Sequence, residues 1–322
     1  MLRYIVRRLL WVAVTLLLIT FLTYLIFFVM PPTDPAVNFA GKQPTPELVA
    51  EVRKQFGLDK PVLIQYALFV KRIFLGDEYG WPGLGFSFNT RSALKPIIYE
   101  RFLVTLQLAL GSAILWLLVG VPIGILSALR PRSIFDRLAM GFALFGVSTP
   151  VFFLGPVLLY VFWFKLGWLP GTGFYSITKY GPGTWFMHMI MPWSVLALAF
   201  AAFYARMTRG NLIEVMGEDY IRTARAKGLT ERRVVAKHGL RASLTPVVTM
   251  LGLDLGGLLG GALITETVFN LKGLGNYAVE SVFSGDLYAI LDVTIIAAFA
   301  VTLANLIVDI IYAFLDPRVR YT

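Results

Sequence analysis

The side chains that usually carry enzymatic chemistry are few and scattered in this chain of 322 residues. Cysteine is absent, and the two histidines, His188 and His238, belong to no His-Glu-x-x-His metal motif. A phosphate-binding Gly-x-x-x-x-Gly-Lys-Ser/Thr loop and a Gly-x-Ser-x-Gly nucleophile elbow are also missing. We therefore expect no catalysis and no ATP hydrolysis by this chain itself, and neither a cofactor nor a metal site.

Polar residues inside long apolar runs are the remaining candidates for chemistry. Asp254 lies among glycines in a run without basic residues, and Glu266 lies near the end of that run. A carboxylate in hydrocarbon costs about 3 kcal/mol or more, so it should face a partner or a water-filled cavity. Ser148 and Thr149 precede Pro150 in another run. They indicate either the wall of a transport pathway or a kink whose polar groups are satisfied locally.

Glycines in the same run as Asp254 recur at a helical spacing. Gly252, Gly256 and Gly260 fall on one face of a helix. Small residues at this spacing let two helix backbones approach closely in a membrane. The pattern predicts that another helix packs on this face.

A basic segment, residues 206–245, separates two apolar runs and contains the signals of a short helix over residues 218–228. Acidic residues begin this helix, basic residues end it, and a glycine follows, in agreement with the helix dipole and a left-handed end. A helix of about ten residues is not stable alone in water. Its apolar face must dock on the chain's own transmembrane helices or on another protein. The residues expected to form the docked helix are Glu218, Asp219, Tyr220, Ala224, Arg225, Ala226, Lys227, Gly228 and Leu229.

The composition indicates a membrane protein that positions these candidates on transmembrane helices. Hydrophobic residues make up 57% of the chain and charged residues 15%, against about 45–50% and 25% in soluble domains. Six apolar runs are long enough to cross a bilayer core of about 30 Å. The predicted spans are Leu9–Met30, Phe102–Leu129, Leu138–Phe164, Trp185–Tyr204, Pro246–Thr267 and Leu287–Leu315. The first run is too long for the apolar core of a signal peptide, and we expect it to be retained as an anchor.

The distribution of charge predicts the orientation in the membrane. Lysine and arginine are concentrated before the first run, in residues 130–137 and in residues 206–241. The positive-inside rule therefore places these segments and both termini in the cytoplasm. The net charge of +10 is accounted for by this topology, because the cations do not form the single stripe expected of a nucleic-acid-binding protein.

The apolar runs and the loops between them divide the chain into three parts. Residues 1–30 form the cytoplasmic N-terminus and first helix, 31–101 an extracytoplasmic segment, and 102–318 a five-helix core that contains the loop 206–245. In the extracytoplasmic segment, Thr45 followed by Pro46 predicts a helix to Phe56, and a second helix is expected over Pro61–Leu75. This segment is either a cap packed on the membrane face or a landing surface for another protein.

Several motifs together resemble the permease subunits of bacterial ABC importers, in particular the B-type permease of the dipeptide, oligopeptide and nickel family. The coupling loop of that family resembles residues 219–229, although Arg222, Thr223 and Ala224 replace the general importer pattern and Pro246 comes late. This departure is usual in the peptide branch. The other matching stretches are 57–61, 65–66, 76–77, 238–241, 245–248, 266–269, 273–275 and 315–318.

The resemblance implies an all-α protein with six transmembrane helices and type I importer architecture in a bacterial inner membrane. It implies a heterodimer with a homologous second permease, two cytoplasmic ATPases, an extracytoplasmic substrate-binding protein and a peptide cargo, with no nucleic acid. Transport by alternating access would be driven by the ATPases through the helix 218–228, and Ser148, Thr149, Asp254 and Glu266 are candidates for the pathway. Nickel chelates or another small solute are alternative cargoes. A channel or scaffold without energy coupling is the alternative from another class.

Overall fold

The computed structural model describes residues 2–30, 34, 36–37, 45–55, 57–87 and 89–315. Within these residues, four helices are long and apolar enough to cross a membrane, or six spans if each of two bent pairs of helices counts as one. Four of the six predicted spans correspond to the four long helices, and the third predicted span is one of the bent pairs. The predicted fifth span, Pro246–Thr267, is wrong at its end, because its helix stops at Leu259 and another begins at Leu263. The long helix of the fourth span contains a break at Gly181, whose backbone is not helical.

The first half of the described chain contains the first two spans, the described part of residues 31–101 between them, and a broken span. Its elements in order are α1 (Leu2–Tyr24) continued by a π-helix (Leu25–Val29), α2 (Pro46–Gln55), α3 (Val62–Leu75), β1 (Phe86–Ser87), β2 (Ser92–Ala93), α4 (Leu94–Leu129), α5 (Ile134–Ser148) and α6 (Val151–Leu158) continued by a π-helix (Leu159–Lys165).

The second half contains the longest helix and the basic segment. Its elements are α7 (Ile177–Met216), α8 (Asp219–Ala226), α9 (Glu231–Arg233), a π-helical turn (Val234–Gly239), α10 (Leu240–Ser243), α11 (Thr245–Leu259), α12 (Leu263–Val268), α13 (Leu274–Ser284) and α14 (Leu287–Leu315).

The centre of the fold is the packing of α4 along α7, and α11 packs along α14 beside it. The predicted glycine face of α11 makes the second contact. A Cβ atom on Gly252 would lie 2.1 Å from the side chain of Val308, and one on Gly256 would lie 3.5 Å from Val301. The prediction that this face packs closely against another helix is confirmed.

The predicted third span is not one continuous crossing, because α5 and α6 meet at an angle of 102°. Thr149 and Pro150 both have an extended backbone, and Pro150 is the cap residue directly before the next helix. A proline disfavours helical geometry in the residue before it, so the helix ends at Ser148 and starts again at Val151. The kink predicted here from the proline is present, and it is larger than expected.

The helix of the predicted fourth span continues beyond Tyr204 to Met216. About ten residues of the predicted loop 206–245 are therefore an extension of α7. Polar residues after Tyr204 indicate the exit from the apolar layer, but they contain no proline that would stop the helix. This extension carries α8 away from the apolar end of the span.

The described part of residues 31–101, the segment predicted to be extracytoplasmic, contains the two predicted helices and a short hairpin. The Oγ1 atom of Thr45 accepts a hydrogen bond from the backbone N–H of Leu48 at 3.3 Å, which confirms Thr45 as the cap of α2. α3 begins directly after Pro61, as predicted. The predicted end of the first helix at Phe56 lies outside the described residues.

Candidate functional site

The predicted coupling helix forms at the end of the extended α7. Glu218 precedes α8 in an extended conformation, and Lys227 follows it. Gly228 has a φ angle of +74°, a left-handed conformation that side chains other than glycine adopt at a cost. The predicted start, end and terminal glycine of this helix are confirmed.

The apolar face of α8 packs within the chain itself. Ile221 and Ala224 are buried in a small cluster with Val234, and Met216 and Leu229 pack against its edge. Of the two alternatives drawn from the sequence, the structure therefore shows the apolar face, including Ala224, docked within its own chain. A helix with one strong apolar stripe buried it on the nearest apolar surface available, the turn that follows it in the chain.

The opposite face of α8 is exposed and carries mixed polar and aromatic groups. Tyr220 is 45% exposed, and its partial burial, together with the charge of Glu218, raises the pKa of its phenol. The other exposed residues from the predicted site are Glu218, Asp219, Arg225, Ala226, Lys227 and Gly228, and Leu229 is half-buried.

An ion pair fixes α8 to α9. Arg225 donates two hydrogen bonds to the carboxylate of Glu231, from Nε at 3.0 Å and from Nη2 at 2.7 Å. This contact raises the pKa of the Arg225 guanidinium. Because both side chains are exposed, the pair contributes little to stability. Its two-point geometry fixes the orientation of the turn that contains Gly228.

A second ion pair joins the extension of α7 to the start of α5. Arg209 donates to the buried carboxylate of Asp136 from Nε at 2.6 Å and from Nη2 at 2.8 Å. The backbone N–H of Arg132 donates to the same carboxylate at 2.8 Å. The contact joins the cytoplasmic-side extension that carries α8 to a second helix, α5. The sequence contains no local signal for this contact, because its residues belong to separate segments.

Ser148 and Thr149 lie at the 102° bend between α5 and α6. Ser148 is exposed, and Thr149 donates a hydrogen bond from Oγ1 to the carbonyl of Phe145 at 2.8 Å. For Thr149, the structure supports the interpretation of a kink whose polar group is satisfied by its own helix.

Asp254 is half-buried on α11 and accepts a hydrogen bond from the phenol of Tyr204 on α7 at 2.7 Å. Its neighbour Leu253 is exposed, and a Cβ atom on Gly257 would meet none of the described residues within 4 Å. One oxygen of the carboxylate is held by protein, and the helix face beside it is open. This arrangement leaves the carboxylate able to meet a cationic group from outside the chain.

Glu266 is fully buried and binds the start of α13 to α4. Its Oε1 accepts from Thr105 at 2.7 Å, and its Oε2 accepts from the backbone N–H of Asn276 at 2.8 Å. Thr105 in turn accepts from the N–H of Leu274 at 2.8 Å. A carboxylate at a helix N-terminus satisfies donors that have no partner in the helix. The expectation that Glu266 lines the pathway is contradicted by this burial.

The four pathway candidates therefore do not form one site. Asp254 is tied to α7 and Glu266 to α4, while Ser148 and Thr149 lie at the bend after α5. The partners Tyr204 and Thr105 were not predicted from the sequence. Both lie inside apolar runs where an isolated hydroxyl is unremarkable, so only the packing of the helices reveals their roles.

Two known families match the chain over most of its length. The family described as "Binding-protein-dependent transport system inner membrane component" matches residues 120–321. The N-terminal family of the same transport systems, described as "Binding-prot-dependent transport system membrane comp, N-term", matches residues 1–109.

Similar proteins of full length include the glutathione transport system permease protein GsiC of Salmonella paratyphi A, Salmonella typhimurium and Escherichia coli K12. Each is 40% identical over 321 residues, which cover 100% of both chains.

Two solved transporters share the fold over about two thirds of this chain. An inward-facing conformation of the MetNI methionine ABC transporter has a TM-score of 0.56 at 21% identity, and the match covers 69% of this chain and 98% of the transporter chain. An amino acid ABC transporter with histidines has a TM-score of 0.51 at 17% identity, with 70% and 95% covered. The helical fold, the two family matches and the full-length relatives agree: this chain belongs to the binding-protein-dependent transport system inner membrane components, the all-α, multi-pass permease subunits of ABC importers.

Proposed function

We propose that this permease forms half of the translocation pathway of a peptide importer, as a heterodimer with a homologous second permease. Two cytoplasmic ATPases and an extracytoplasmic substrate-binding protein complete the assembly. The observation that carries the proposal is α8, a short helix whose apolar face is fixed to its own chain and whose other face is exposed. Such a helix is a rigid projection that a partner protein can move.

The path of the coupled motion follows from the ion pairs around α8. Closure of the ATPase dimer would displace α8. Only two residues separate α8 from the end of α7, so α7 would move with it. The contact of Arg209 with Asp136 would carry this displacement to α5. The spans would then rotate and change access from one side of the membrane to the other. The chain itself contributes motion and a pathway wall and no covalent chemistry.

Peptides are the proposed cargo because the relatives named above are permeases for glutathione, a tripeptide. Uptake of labelled glutathione, a dipeptide and a nickel chelate by the assembled complex tests this choice. We expect competition between the peptides and no effect of the chelate on their uptake. Uptake of the chelate alone would assign the permease to the nickel branch, and passive solute flux without ATP would indicate a channel.

Asp254 is the proposed contact for the positively charged amino group of a peptide in the pathway. Asp254→Asn keeps the shape of the side chain and a group that can accept from Tyr204, so we expect a folded, assembled complex with at least about tenfold lower uptake, the loss of one charged interaction. Uptake and ATPase activity are measured on the same preparation. Normal transport by Asp254→Asn, combined with failed assembly of Asp254→Leu, would assign Asp254 a structural role instead.

Both termini and residues 206–245 are proposed to be cytoplasmic, with residues 31–101 on the other side. Single cysteines test this topology without background because the chain has none. An impermeant thiol reagent on intact cells should label Thr90→Cys and spare Thr230→Cys, since both positions are exposed. The reverse labelling pattern would invert the topology. In the same segment, Gly83 is unsuitable for labelling because a Cβ there would lie 2.3 Å from the carbonyl of Arg72, and Asn38 lies outside the described residues.

A further inference from the structure

Helix α3 of the extracytoplasmic segment carries apolar side chains on both its packed face and its opposite face, with Gln65 the one polar residue among residues 62–70. Its first charged residue is Lys71, near its end. One face, with Tyr66 and Phe69, packs against the first span and its surroundings. The opposite face is a continuous exposed stripe at helical spacing, formed by Leu63, Ile64, Ala67, Leu68, Lys71, Phe74 and Leu75. A helix that is hydrophobic all round is buried in protein or lies in a membrane.

The depth of α3 is given by its hydrogen bonds to the first span. The phenol of Tyr66 donates to the carbonyl of Leu17 at 2.9 Å and lies 2.7 Å from the Oγ1 of Thr20. The apolar span covers Val6–Val29, so Leu17 lies near its middle. Twelve residues separate Leu17 from Val29, which is about 18 Å at 1.5 Å per residue. A tyrosine side chain is much shorter than this distance, so α3 lies beside the span and not above it.

The exposed stripe therefore faces the level of the bilayer at which the span is still apolar. Leu63, Phe74 and Leu75 are 71%, 69% and 73% exposed. Exposure of this size at both ends of one helix face is unfavourable in water and favourable against acyl chains. Lys71 is long enough to reach the headgroup layer while its methylene groups stay in the apolar layer.

A cationic cavity of about 440 Å³ lies next to the packed face of α3. Its walls at the end of the first span are aromatic, with Tyr24 and Phe28, and Tyr288 of α14 lines it as well. Its cations are Lys54, Lys60 and Arg72, and its lining, as far as the described residues form it, includes no carboxylate. The Nε and Nη2 atoms of Arg72 are buried without a hydrogen-bond partner among those residues. This combination of positive charge and aromatic walls at the end of a span fits an anionic headgroup.

Arg72 is positioned by its surroundings within the described part of the chain. Its guanidinium lies over the ring of Tyr288 at 4.8 Å and over that of Phe69 at 5.5 Å. The fully buried carboxylate of Asp292 interacts with it electrostatically, and both oxygens of that carboxylate have no hydrogen-bond partner in the described part of the chain. A single cation is thus shared between a buried carboxylate and the cavity. The exposed lysines provide the additional positive charge that an anion in the cavity requires.

We propose that α3 lies in the bilayer leaflet on the side of residues 31–101, with its exposed stripe against acyl chains, and that the cavity beside it binds the phosphate of an anionic phospholipid. The segment would then act as a lipid-bound cap that fixes the first span to the membrane surface. The proposal concerns a lipid contact and does not depend on the cargo or on the ATPases. The choice of leaflet rests on the proposed topology.

The depth is tested on the full permease complex in liposomes, with a fluorophore on single cysteines. We expect fluorophores at Leu63→Cys and Phe74→Cys to be quenched by phospholipids brominated on the acyl chain and to be protected from aqueous iodide. Thr90→Cys in the exposed hairpin turn is the matched control, and it should show the opposite pattern. Iodide quenching at positions 63 and 74 equal to that at position 90 would overturn the proposal. So would protection that appears only after the substrate-binding protein is added, since this would assign the stripe to a protein contact.

The headgroup site is tested by native mass spectrometry of lipid retention. Lys54→Gln combined with Lys60→Gln should lower retention of phosphatidylglycerol about twenty-five-fold, since each cation contributes about a factor of five and the two factors multiply. Lys71→Gln, a lysine of the same region outside the cavity lining, should have a smaller effect. Unchanged retention in the double variant would refute the headgroup site. Binding of inorganic phosphate that displaces the lipid at equal concentration would show a free-anion site instead.

Discussion

Gly228→Leu is expected to leave the permease inserted in the membrane while abolishing its association with the ATPase and its uptake activity. Gly228 has a φ angle of +74°, and a Cβ built there would meet nothing within 4 Å in the described part of its own chain. The left-handed conformation costs a residue with a side chain about 1–2 kcal/mol, a factor of about ten in the population of the native turn. The added side chain would also project from the exposed face that we propose to dock. Both effects act on docking and leave the membrane domain unchanged.

Gly228→Asn is the matched variant, since asparagine tolerates the left-handed conformation better than leucine. We expect it to retain part of the ATPase association that Gly228→Leu loses. Association is measured by copurification and uptake by labelled peptide, at equal amounts of permease in the membrane. Wild-type uptake by the leucine variant would show that α8 does not couple the ATPase to transport.

Glu266→Leu is expected to destabilise the membrane domain severely. The substitution removes the acceptor for Thr105 and for the N–H of Asn276, both now at 2.7–2.8 Å. Each buried donor left without a partner costs about 1–3 kcal/mol, so the two together cost about 2–6 kcal/mol, a large part of the total stability of a typical domain. Glu266→Gln should lower stability by an intermediate amount. The oxygen of its amide can accept from one of the two donors, while its NH2 group faces the other donor without forming a hydrogen bond. Thermal unfolding of the purified permease, followed by fluorescence in detergent, measures the loss.

Glu280→Gln on α13 is the control for a carboxylate on the same element. Glu280 is exposed and contacts Arg101 at 3.3 Å, so its replacement should change stability by less than about 0.5 kcal/mol. Gly273→Ala provides an independent test of the Glu266 site, because a Cβ there would lie 2.3 Å from the carboxyl carbon of Glu266. Wild-type thermal stability in both Glu266→Leu and Gly273→Ala would contradict the assignment of this carboxylate as the link between α4 and α13.

Some predicted features depend only on residues close together in the sequence, and these agree with the structure. The ends of α8, the cap at Thr45 and the glycine face of α11 follow from neighbours within one or two helical turns, and the structure confirms each of them. The kink at Pro150 was predictable in position, because proline acts on the residue before it. Its angle of 102° was not, because the packing around the break sets that angle.

The roles of buried polar groups were beyond the reach of local sequence. Glu266 meets Thr105 across 161 positions of the chain, and Asp254 meets Tyr204 across 50. An isolated carboxylate in an apolar run indicates that a partner exists, since burial without one is costly, but it does not indicate which helix supplies that partner. The sequence therefore predicted the same role for Asp254 and Glu266, whereas the packing of the helices gives each carboxylate a different partner and a different environment.

By itself, the sequence determined that this chain is an all-α membrane protein with a capped, amphipathic helix in its basic loop. The length of an apolar run, a helix cap and a local excess of charge each depend on neighbouring residues, so they can be recognised without knowing the tertiary structure. Only the tertiary structure decided that α8 buries Ile221 and Ala224 against its own chain, that Glu266 closes a helix end, and that α3 lies beside the middle of the first span. Those outcomes depend on which distant surfaces meet, because an apolar stripe or a buried charge is satisfied equally well by any suitable neighbour.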